Sequence, residues 1–339
     1  MIASVIERGI GRMKDGELII LLDDINTGTG TLVGAAQHVT PNLVNFMTKI
    51  GKGLISVCLT EENAKRLDLL FMVDCSLNPK TKPFTVSVDH RTNTTGISAY
   101  ERADTIRAFT YEDVQPEDFR KPGHIFPLAG KENGLLQRVD IVEAVIDLTK
   151  MASLVPVGYI CDILNQKGEM ASELEIETMS DEYGLPILKM SEMMEVRRND
   201  VLCTFTGQVI RGNQIGREIG FPTANLRVNS DEVHLSNGVY GVKVMYNERP
   251  FTGVMNVGLR PTLGEEAIVH YEVHIFGFDE MIYDQILQVE ACFFVREEIS
   301  FSNLDQLILQ IKDDVEFVKS RLHAGEKSKD TALLIGGIV

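Results

Sequence analysis

The amino-acid sequence predicts two domains of different fold class: an α/β layered N-terminal domain, then a small all-β antiparallel barrel with one C-terminal helix. Three observations support this prediction. The 339 residues exceed the length at which a single hydrophobic core usually divides. Helix-like and strand-like patterns alternate as far as about residue 197. Beyond residue 200 the hydrophobic pattern changes to a period of two, which is typical of half-buried strands.

The N-terminal pattern begins with an amphipathic helix. Apolar residues recur at helical spacing from Ile2 to Met13, and Gly16 stands where such a helix would end. The run 18–22 is apolar throughout, as in a strand covered on both faces. By similar criteria, helices are predicted for 41–49, 141–151 and 173–183 and after the capping-box pattern Ser98–Glu101, and strands for 54–59, 84–88 and 157–164.

The C-terminal pattern follows a short charged link, residues 195–200, that contains no Gly/Ser tract. We therefore expect the two domains to lie close together. Period-two segments with turn residues between them are 201–210, 239–246, 251–257, 268–276 and 286–295, and a single helix is predicted over 304–322. Consecutive strands of this kind predict a small antiparallel barrel. The tail 324–339 combines a polar stretch with an unusually apolar end, which either the protein itself or a partner could cover.

Composition argues against two kinds of partner. A net charge of −16 is unfavourable for nucleic-acid binding, because phosphate backbones need a basic face. No apolar run reaches the roughly 18 residues that span a bilayer, so we expect no membrane partner. Five scattered cysteines without a C-x-x-C pair indicate a cytoplasmic protein without structural zinc.

Candidate chemistry concentrates in a glycine-punctuated run that leads into Gly220-Phe221-Pro222-Thr223-Ala224-Asn225. The glycines before this segment are Gly207, Gly212 and Gly216. Glycine lets a backbone approach a bulky anion, and its N–H groups can converge on phosphate oxygens. Thr223 and Asn225 point the same way in an extended segment, and their oxygens suit Mg²⁺. A plain Gly/Pro loop between two strands explains the same spacing equally well.

The C-terminal part of the chain, residues 200–323, resembles the riboflavin kinase family. The resemblance continues beyond the glycine-rich segment through Asn237–Tyr240, 255–262, Tyr271–His274, Tyr283 and 295–298. Several motifs in order are far more specific than any single one. The resemblance implies a six-stranded Greek-key barrel with a C-terminal helix, and ATP- and Mg²⁺-dependent phosphorylation of riboflavin to FMN. No nucleotidyltransferase segment is found, so we expect the reaction to stop at FMN.

The resemblance also implies residue roles. Thr223 and Asn225 match the pair that holds Mg²⁺ and the ATP phosphates, and the four glycines cover the nucleotide. Glu272 matches the carboxylate that deprotonates the ribityl 5′-hydroxyl. Taken alone, Glu272 would be an outward-facing strand acid between His270 and His274. The positions that match flavin-binding residues are Asn256, Arg260, Thr262 and Arg296. Departures from the family pattern are Leu259, where threonine is common, and the less basic Ile299-Ser300-Phe301.

Residues 1–197 resemble 3,4-dihydroxy-2-butanone-4-phosphate synthase, which makes the four-carbon precursor of riboflavin from ribulose 5-phosphate. The segments that carry this resemblance are Val39–Pro41, 45–47, 53–55, 84–88, 94–99, 102–107, 122–128, 143–144 and 168–170. The resemblance implies a homodimer through this domain, because the family's active sites lie at a subunit interface.

The acidic loop that does the synthase's chemistry is replaced here. Thr27 stands at the position of the family's metal-binding glutamate, and Ile141 at that of its metal-binding histidine. Neither side chain can hold a divalent cation against water, nor accept a proton near neutral pH. We therefore expect a degenerate domain. Asp23 and Asp24 survive at the end of the first strand, and we expect them to be solvated.

Some phosphate-contacting positions of the synthase remain: Thr94, Thr95, Gly96 and Arg138. They could form a residual phosphate site, although Thr94-Thr95-Gly96 also fits an ordinary turn before a capped helix. His124 fits a hydrogen-bonded residue beside a strand better than a ligand. The sequence thus favours a riboflavin kinase fused to an inactive synthase-like domain. Two alternatives remain: a bifunctional flavin-pathway enzyme, and a regulator that binds flavin or sugar phosphate.

Overall fold

The computed structural model describes residues 2–73, 81–197, 200–212, 216, 219–228, 233, 235–260, 268–301 and 303–323. The chain separates into two compact units, residues 1–197 and 198–339. The predicted tail 324–339 lies outside the described residues. No helix within the described ranges has the length and apolarity needed to cross a membrane.

The N-terminal unit is built on a seven-stranded mixed sheet. Its strands are β1 (Ile19–Asp23), β2 (Thr29–Ala35), β3 (Lys52–Thr60), β4 (Val88–His90), β5 (Phe119–Gly130), β6 (Gly158–Ile163) and β7 (Ile187–Lys189). They lie in the order β4-β5-β3-β6-β2-β1-β7. The β1–β7 and β3–β5 pairs are parallel, and the others are antiparallel.

Helices cover both faces of this sheet. They are α1 (Ile2–Lys14), α2 (Pro41–Ile50), α3 (Glu61–Arg66), α4 (Ala99–Ala108), α5 (Ile141–Met151), α6 (Glu173–Tyr183) and α7 (Met190–Arg197). Alternate residues of β1 serve opposite cores: Ile20 packs with α2, α4 and α6, and Leu21 with α1, α5 and α7. All five residues of β1 are buried, as the apolar run predicts. The α/β layered class is confirmed.

One predicted N-terminal strand, 84–88, is wrong in its extent. Only Val88 belongs to β4, while Phe84 and Thr85 make isolated bridges to Leu128 and Phe71. The Thr85 N–H donates to the Pro127 carbonyl at 2.9 Å. Proline has no N–H to donate in return, so a continuous ladder cannot form there.

The C-terminal unit is a closed six-stranded barrel followed by one helix. The strands are β8 (Cys203–Ile210), β9 (Ala224–Arg227), β10 (Gly238–Tyr246), β11 (Arg249–Arg260), β12 (Ile268–Ile275) and β13 (Ile286–Arg296), and the helix is α8 (Leu304–His323). The strand order is β10-β11-β12-β9-β8-β13, closed by the β10–β13 pair, and all six pairings are antiparallel. This confirms the predicted barrel and helix.

The barrel interior follows the period-two pattern. Met255 and Val257 of β11 and Val273 of β12 are fully buried. Their chain neighbours Asn256 and Glu272 are half-buried and therefore face outward. The functional side chains of these strands thus lie on the outer surface of the barrel wall.

Candidate functional site

A row of polar side chains crosses three neighbouring strands of the barrel. Asn225 on β9 is directly opposite Glu272 on β12, and Glu272 is directly opposite Asn256 on β11. Opposite residues of antiparallel strands share one face, with their β-carbons about 5 Å apart. The structure therefore brings together Asn225, Glu272 and Asn256, which the sequence places 47 and 16 residues apart (272 − 225 and 272 − 256).

The glycine-rich run packs directly onto this row. A β-carbon at Gly212 would overlap the side-chain amide of Asn225. One at Gly216 would overlap the Phe221 carbonyl and lie 3.3 Å from the Thr223 hydroxyl. The Phe221 N–H also donates to the Gly216 carbonyl at 2.7 Å. Glycine at 212 and 216 is thus required for the close approach of this run to Thr223 and Asn225.

The other two glycines differ from this pair. Gly207 lies in β8, and a β-carbon there would approach Leu226 and Val228 at 3.0 and 3.2 Å rather than a polar group. Gly220 has a φ of +85°, a left-handed conformation that favours glycine, with open space beside it. The predicted contact of Gly207 and Gly220 with the nucleotide stays a prediction.

A pocket of about 100 Å³ adjoins Thr223. Its apolar lining includes Val209, Ile275, Phe278 and Tyr283, and Asp279 and Glu280 add carboxylates. The Arg211 guanidinium lies 5.5 Å from the centre of the Tyr283 ring, at the start of the glycine-rich run. An apolar pocket with a few polar groups beside a candidate phosphate site suits a flat heterocycle.

On the other side of the row, Glu298 accepts a hydrogen bond from the Asn256 side-chain amide at 3.3 Å. Sequence reasoning assigned no role to Glu298, although it belongs to the quoted segment 295–298. Its contact with Asn256 joins β11 to the segment after β13, between residues that are 42 apart in the chain. Only the tertiary structure shows this pairing.

The Arg296 side chain is hydrogen-bonded to Asp314 of helix α8. Its Nε lies 2.9 and 3.0 Å from the two Asp314 oxygens, and its Nη2 lies 2.7 Å from Oδ2. Asp314 is 4% exposed and also accepts from Gln310 at 3.0 Å. This geometry gives Arg296 a structural role, and its predicted flavin contact stays a prediction. The side chain of Arg260, and Thr262 as a whole, lie outside what the structure describes.

In the N-terminal unit, Asp23 is buried rather than solvated as expected, whereas Asp24 is exposed. Asp23 is 7% exposed and accepts from the Asn26 N–H at 2.9 Å and the Thr27 hydroxyl at 2.9 Å. Asp24 accepts from both the N–H and the hydroxyl of Ser191 in the first turn of α7. Both carboxylates accept hydrogen bonds from the protein itself, Asp23 from the loop after β1 and Asp24 from α7.

The same loop lies against the segment that precedes α5. The Asn26 side-chain amide donates to the Val139 carbonyl at 3.1 Å, and Thr27 and Thr29 are hydrogen-bonded at 2.7 Å. Thr27 and Ile141, the two replacements expected to abolish metal binding, therefore belong to neighbouring segments. Among the residues described, no group of three or more His, Cys, Asp or Glu side chains is placed to hold a metal ion.

The predicted phosphate-contacting turn already holds a carboxylate. Glu101 accepts from the Thr94 hydroxyl at 2.8 Å, the Thr95 hydroxyl at 3.0 Å and the Gly96 N–H at 3.1 Å. These hydrogen bonds, led by those from Thr94, lower the pKa of Glu101 to about 2. Ser98 caps α4 by accepting from the Glu101 N–H at 3.2 Å.

Arg138 is likewise occupied. Its Nη2 lies 2.7 Å from Oε1 of Glu143, whose side chain is fully buried. Burial raises the pKa of Glu143 to about 7, and the opposite charge of Arg138 acts against that rise. His124, on β5, is hydrogen-bonded to Asp89 at 2.8 Å, in agreement with the structural interpretation of this residue. A phosphate at this predicted site would have to displace carboxylates of the protein itself.

Comparison with known proteins decides the family. The family model described as 3,4-dihydroxy-2-butanone 4-phosphate synthase matches residues 7–196. The chain belongs to the 3,4-dihydroxy-2-butanone 4-phosphate synthase family. A second family model, described as riboflavin kinase, matches residues 201–322. The chain therefore joins a synthase-family domain to a riboflavin kinase domain.

Named relatives match through the synthase-family domain. The chain is 43% identical over 199 residues to a 3,4-dihydroxy-2-butanone 4-phosphate synthase of Oceanobacillus iheyensis, a match that covers 58% of this chain and 96% of the relative. It is 39% identical over 199 residues to riboflavin biosynthesis protein RibBA of Aquifex aeolicus. That match covers 57% of this chain and 49% of RibBA, so the chain spans about half the length of the latter relative.

Solved structures agree on the fold of this domain. RibBX of A. baumannii, described as a two domain synthase, is 29% identical with a TM-score of 0.60, covering 75% of this chain and 69% of that one. A synthase in complex with two magnesium ions is 33% identical with a TM-score of 0.54, covering 57% of this chain and 97% of that one. The N-terminal domain thus has the fold of these synthases.

Proposed function

We propose that the riboflavin kinase domain transfers the γ-phosphoryl group of ATP to the 5′-hydroxyl of riboflavin through Thr223, Asn225 and Glu272. The observation that carries these roles is the register Asn225–Glu272–Asn256, with Gly212 and Gly216 packed against its phosphate side. This arrangement supports a site where a phosphate donor and an acceptor hydroxyl meet across one strand pair.

The residues present fit a magnesium ion. The Thr223 hydroxyl and the Asn225 amide oxygen are hard oxygen ligands, and Mg²⁺ takes few protein ligands because it keeps several waters. The lack of β-carbons at Gly212 and Gly216 lets the backbone of the glycine-rich run lie close to both residues. When bound, the ion would neutralise charge on the transferring phosphates. Thr223 and Asn225 would hold it and orient the ATP.

Glu272 is the proposed base. Its carboxylate would take the proton of the riboflavin 5′-hydroxyl as the oxygen forms its bond to the γ-phosphorus and the bond to the ADP oxygen breaks. Its position opposite Asn225 supports this role, since the proton acceptor must lie beside the group that orients the donor phosphate. The pocket lined by Tyr283 and Phe278 would take the nucleotide base.

The flavin would lie on the opposite side of Glu272. Asn256 adjoins Glu272 in register and presents a side-chain amide held by Glu298. Arg260 ends the same strand, and Thr262 and Arg296 are the remaining proposed flavin contacts. Asn256 is the member of this set whose proposed contact with flavin has support from the described geometry.

We further infer that the synthase-family domain has no synthase activity. The support is chemical: Thr27 and Ile141 stand where metal ligands are expected. The Asp23 carboxylate already accepts hydrogen bonds from the loop after β1. A structural or regulatory role follows, with Thr94, Thr95, Gly96 and Arg138 as a weak phosphate site. The 43% identity to a named synthase favours the alternative of a bifunctional enzyme.

Coupled assays of the purified full-length chain separate these functions. We expect FMN from riboflavin, ATP and Mg²⁺, and no formate from ribulose 5-phosphate. Formate release would establish the bifunctional enzyme, and tight flavin binding without FMN would establish a regulator. Light scattering at micromolar concentration tests the proposed homodimer through residues 1–197, which a monomeric mass would exclude.

A further inference from the structure

We infer that His274 is a positioning residue of the kinase site, which orients the Thr223 segment through the carbonyl group of Pro222. This inference rests on the proposed function, since His274 contacts the segment that carries Thr223. The Nδ1 atom of His274 lies 2.9 Å from the Pro222 carbonyl oxygen. A carbonyl oxygen can only accept, so Nδ1 carries the proton and donates it.

Two aromatic contacts fix the imidazole for this hydrogen bond. Its centre lies 5.5 Å from the ring of Phe221, with the planes 77° apart. The ring of Phe276, which directly follows β12, lies 5.8 Å away at 65°. Edge-to-face contacts at these distances are favourable and directional, so they restrict rotation of the His274 ring.

The segment that receives the hydrogen bond has little ladder support of its own. Strand β9 begins at Ala224, so Phe221, Pro222 and Thr223 precede the first paired residue. Pro222 has no N–H with which to join a ladder. Because the peptide group is planar, the bond that fixes the Pro222 carbonyl also fixes the N–H of Thr223. His274 thereby sets the direction from which Thr223 enters the site.

His274 also couples this segment to the proposed base. Glu272 and His274 are two positions apart on β12 and project from the same face of the strand. One strand therefore carries the group that would accept the proton and the group that orients the magnesium and phosphate segment. A positioning role predicts that the loss of His274 affects ATP and Mg²⁺ more than riboflavin.

Three variants of the full-length chain test the inference. In H274N the amide nitrogen is as many bonds from Cα as Nδ1, so it can still donate to Pro222. In H274Q the amide reaches the position of Nε2 instead, and H274A has no donor. The Asn and Gln variants form a matched pair, because both lose the ring and both keep an amide. Initial rates of FMN formation are measured against ATP, Mg²⁺ and riboflavin.

We expect H274Q and H274A to raise the KM for ATP and the Mg²⁺ concentration for half-maximal rate by about 3- to 10-fold, as for the loss of one hydrogen bond. The KM for riboflavin should stay within about twofold. H274N should recover most of the loss. Equal ATP kinetics in H274N and H274Q would overturn the inference, as would equal losses for ATP and riboflavin.

A further variant distinguishes failure of this inference from failure of the proposed function. T223V removes the hydroxyl with little change of shape. If T223V loses activity while H274Q behaves as wild type, the role of His274 is wrong and that of Thr223 stands. If T223V matches wild type in ATP and Mg²⁺ dependence, the proposed role of Thr223 itself is wrong.

Discussion

Asn225 on β9 lies directly opposite Glu272 on β12, so one strand pair joins the candidate magnesium ligand to the candidate base. Replacing Glu272 by Gln keeps the shape and removes the proton acceptor. We expect the kcat for FMN formation to fall by about 10²–10⁴-fold, with a smaller change in both KM values. Steady-state assays of E272Q measure this, and undiminished turnover would remove Glu272 from the mechanism.

The close approach of the glycine-rich run to Asn225 can be tested by a substitution at Gly212. In G212A the new methyl group would meet the amide of Asn225, and the two must move apart. We expect the kcat/KM for ATP to fall by about tenfold, because overpacking of this kind commonly costs 1–3 kcal/mol. G11A is the control, since a β-carbon at Gly11 in α1 meets no atom within 4 Å. An unchanged kcat/KM in G212A would contradict the packing.

Variants of the Arg296–Asp314 pair can distinguish a structural role of Arg296 from direct binding of flavin. D314N leaves the Arg296 guanidinium without its carboxylate, and we expect the free energy of unfolding of the kinase domain to fall by about 2–4 kcal/mol. Urea denaturation measures this loss. If Arg296 acts on flavin only through α8, D314N and R296A should raise the KM for riboflavin equally. A larger effect of R296A would indicate direct flavin contact.

The hydrogen bonds that the Glu101 carboxylate accepts make the stability of the N-terminal domain depend on pH. Its pKa in the folded state is lowered to about 2 from an ordinary value of 4.5. A lowered folded pKa contributes stability above pH 4.5 that is lost as pH falls towards 2. We expect E101Q to be less stable than wild type at pH 7, with the difference shrinking below pH 4.5. Urea midpoints at several pH values test this, and a constant difference would contradict it.

The proposed loss of metal binding by the synthase-family domain can be tested by introducing the two expected ligands. Thr27 and Ile141 lie on segments joined by the Asn26–Val139 hydrogen bond. We expect the double variant T27E/I141H to bind Mn²⁺, detected by electron paramagnetic resonance, and the wild type not to. Each single variant serves as a control, because one added ligand is too few. Mn²⁺ binding by the wild-type domain would show that other residues hold the metal.

Much of the fold follows from local pattern. Period two predicts five of the barrel strands, since a barrel wall has one buried face and one exposed face. Helices α5 and α6 begin and end where they are predicted, each with a capping side chain, Asp140 or Ser172. Strand β9 is missed as a regular element, because its four residues are too few to show a period.

Strand β2 illustrates what local pattern cannot predict. Its sequence, Thr-Gly-Thr-Leu-Val-Gly-Ala, begins like a polar loop, yet it lies between β1 and β6 and six of its seven residues are buried. Pairing on both edges supplies the stability that intrinsic strand preference lacks. Such pairing joins residues distant in the chain, so only the folded sheet decides it.

The sequence by itself determined the candidate groups of the kinase site, which are Thr223, Asn225, Glu272 and the glycine-rich run. It also determined the residue types at positions 27 and 141 of the synthase-family domain. It could not determine what each group touches, since a side chain's partner depends on register and packing between distant segments. The tertiary structure decided that Asn225 faces Glu272, that Arg296 binds Asp314 and that Glu101 occupies its own turn. Chemical type is a property of the residue, whereas its partner is a property of the fold.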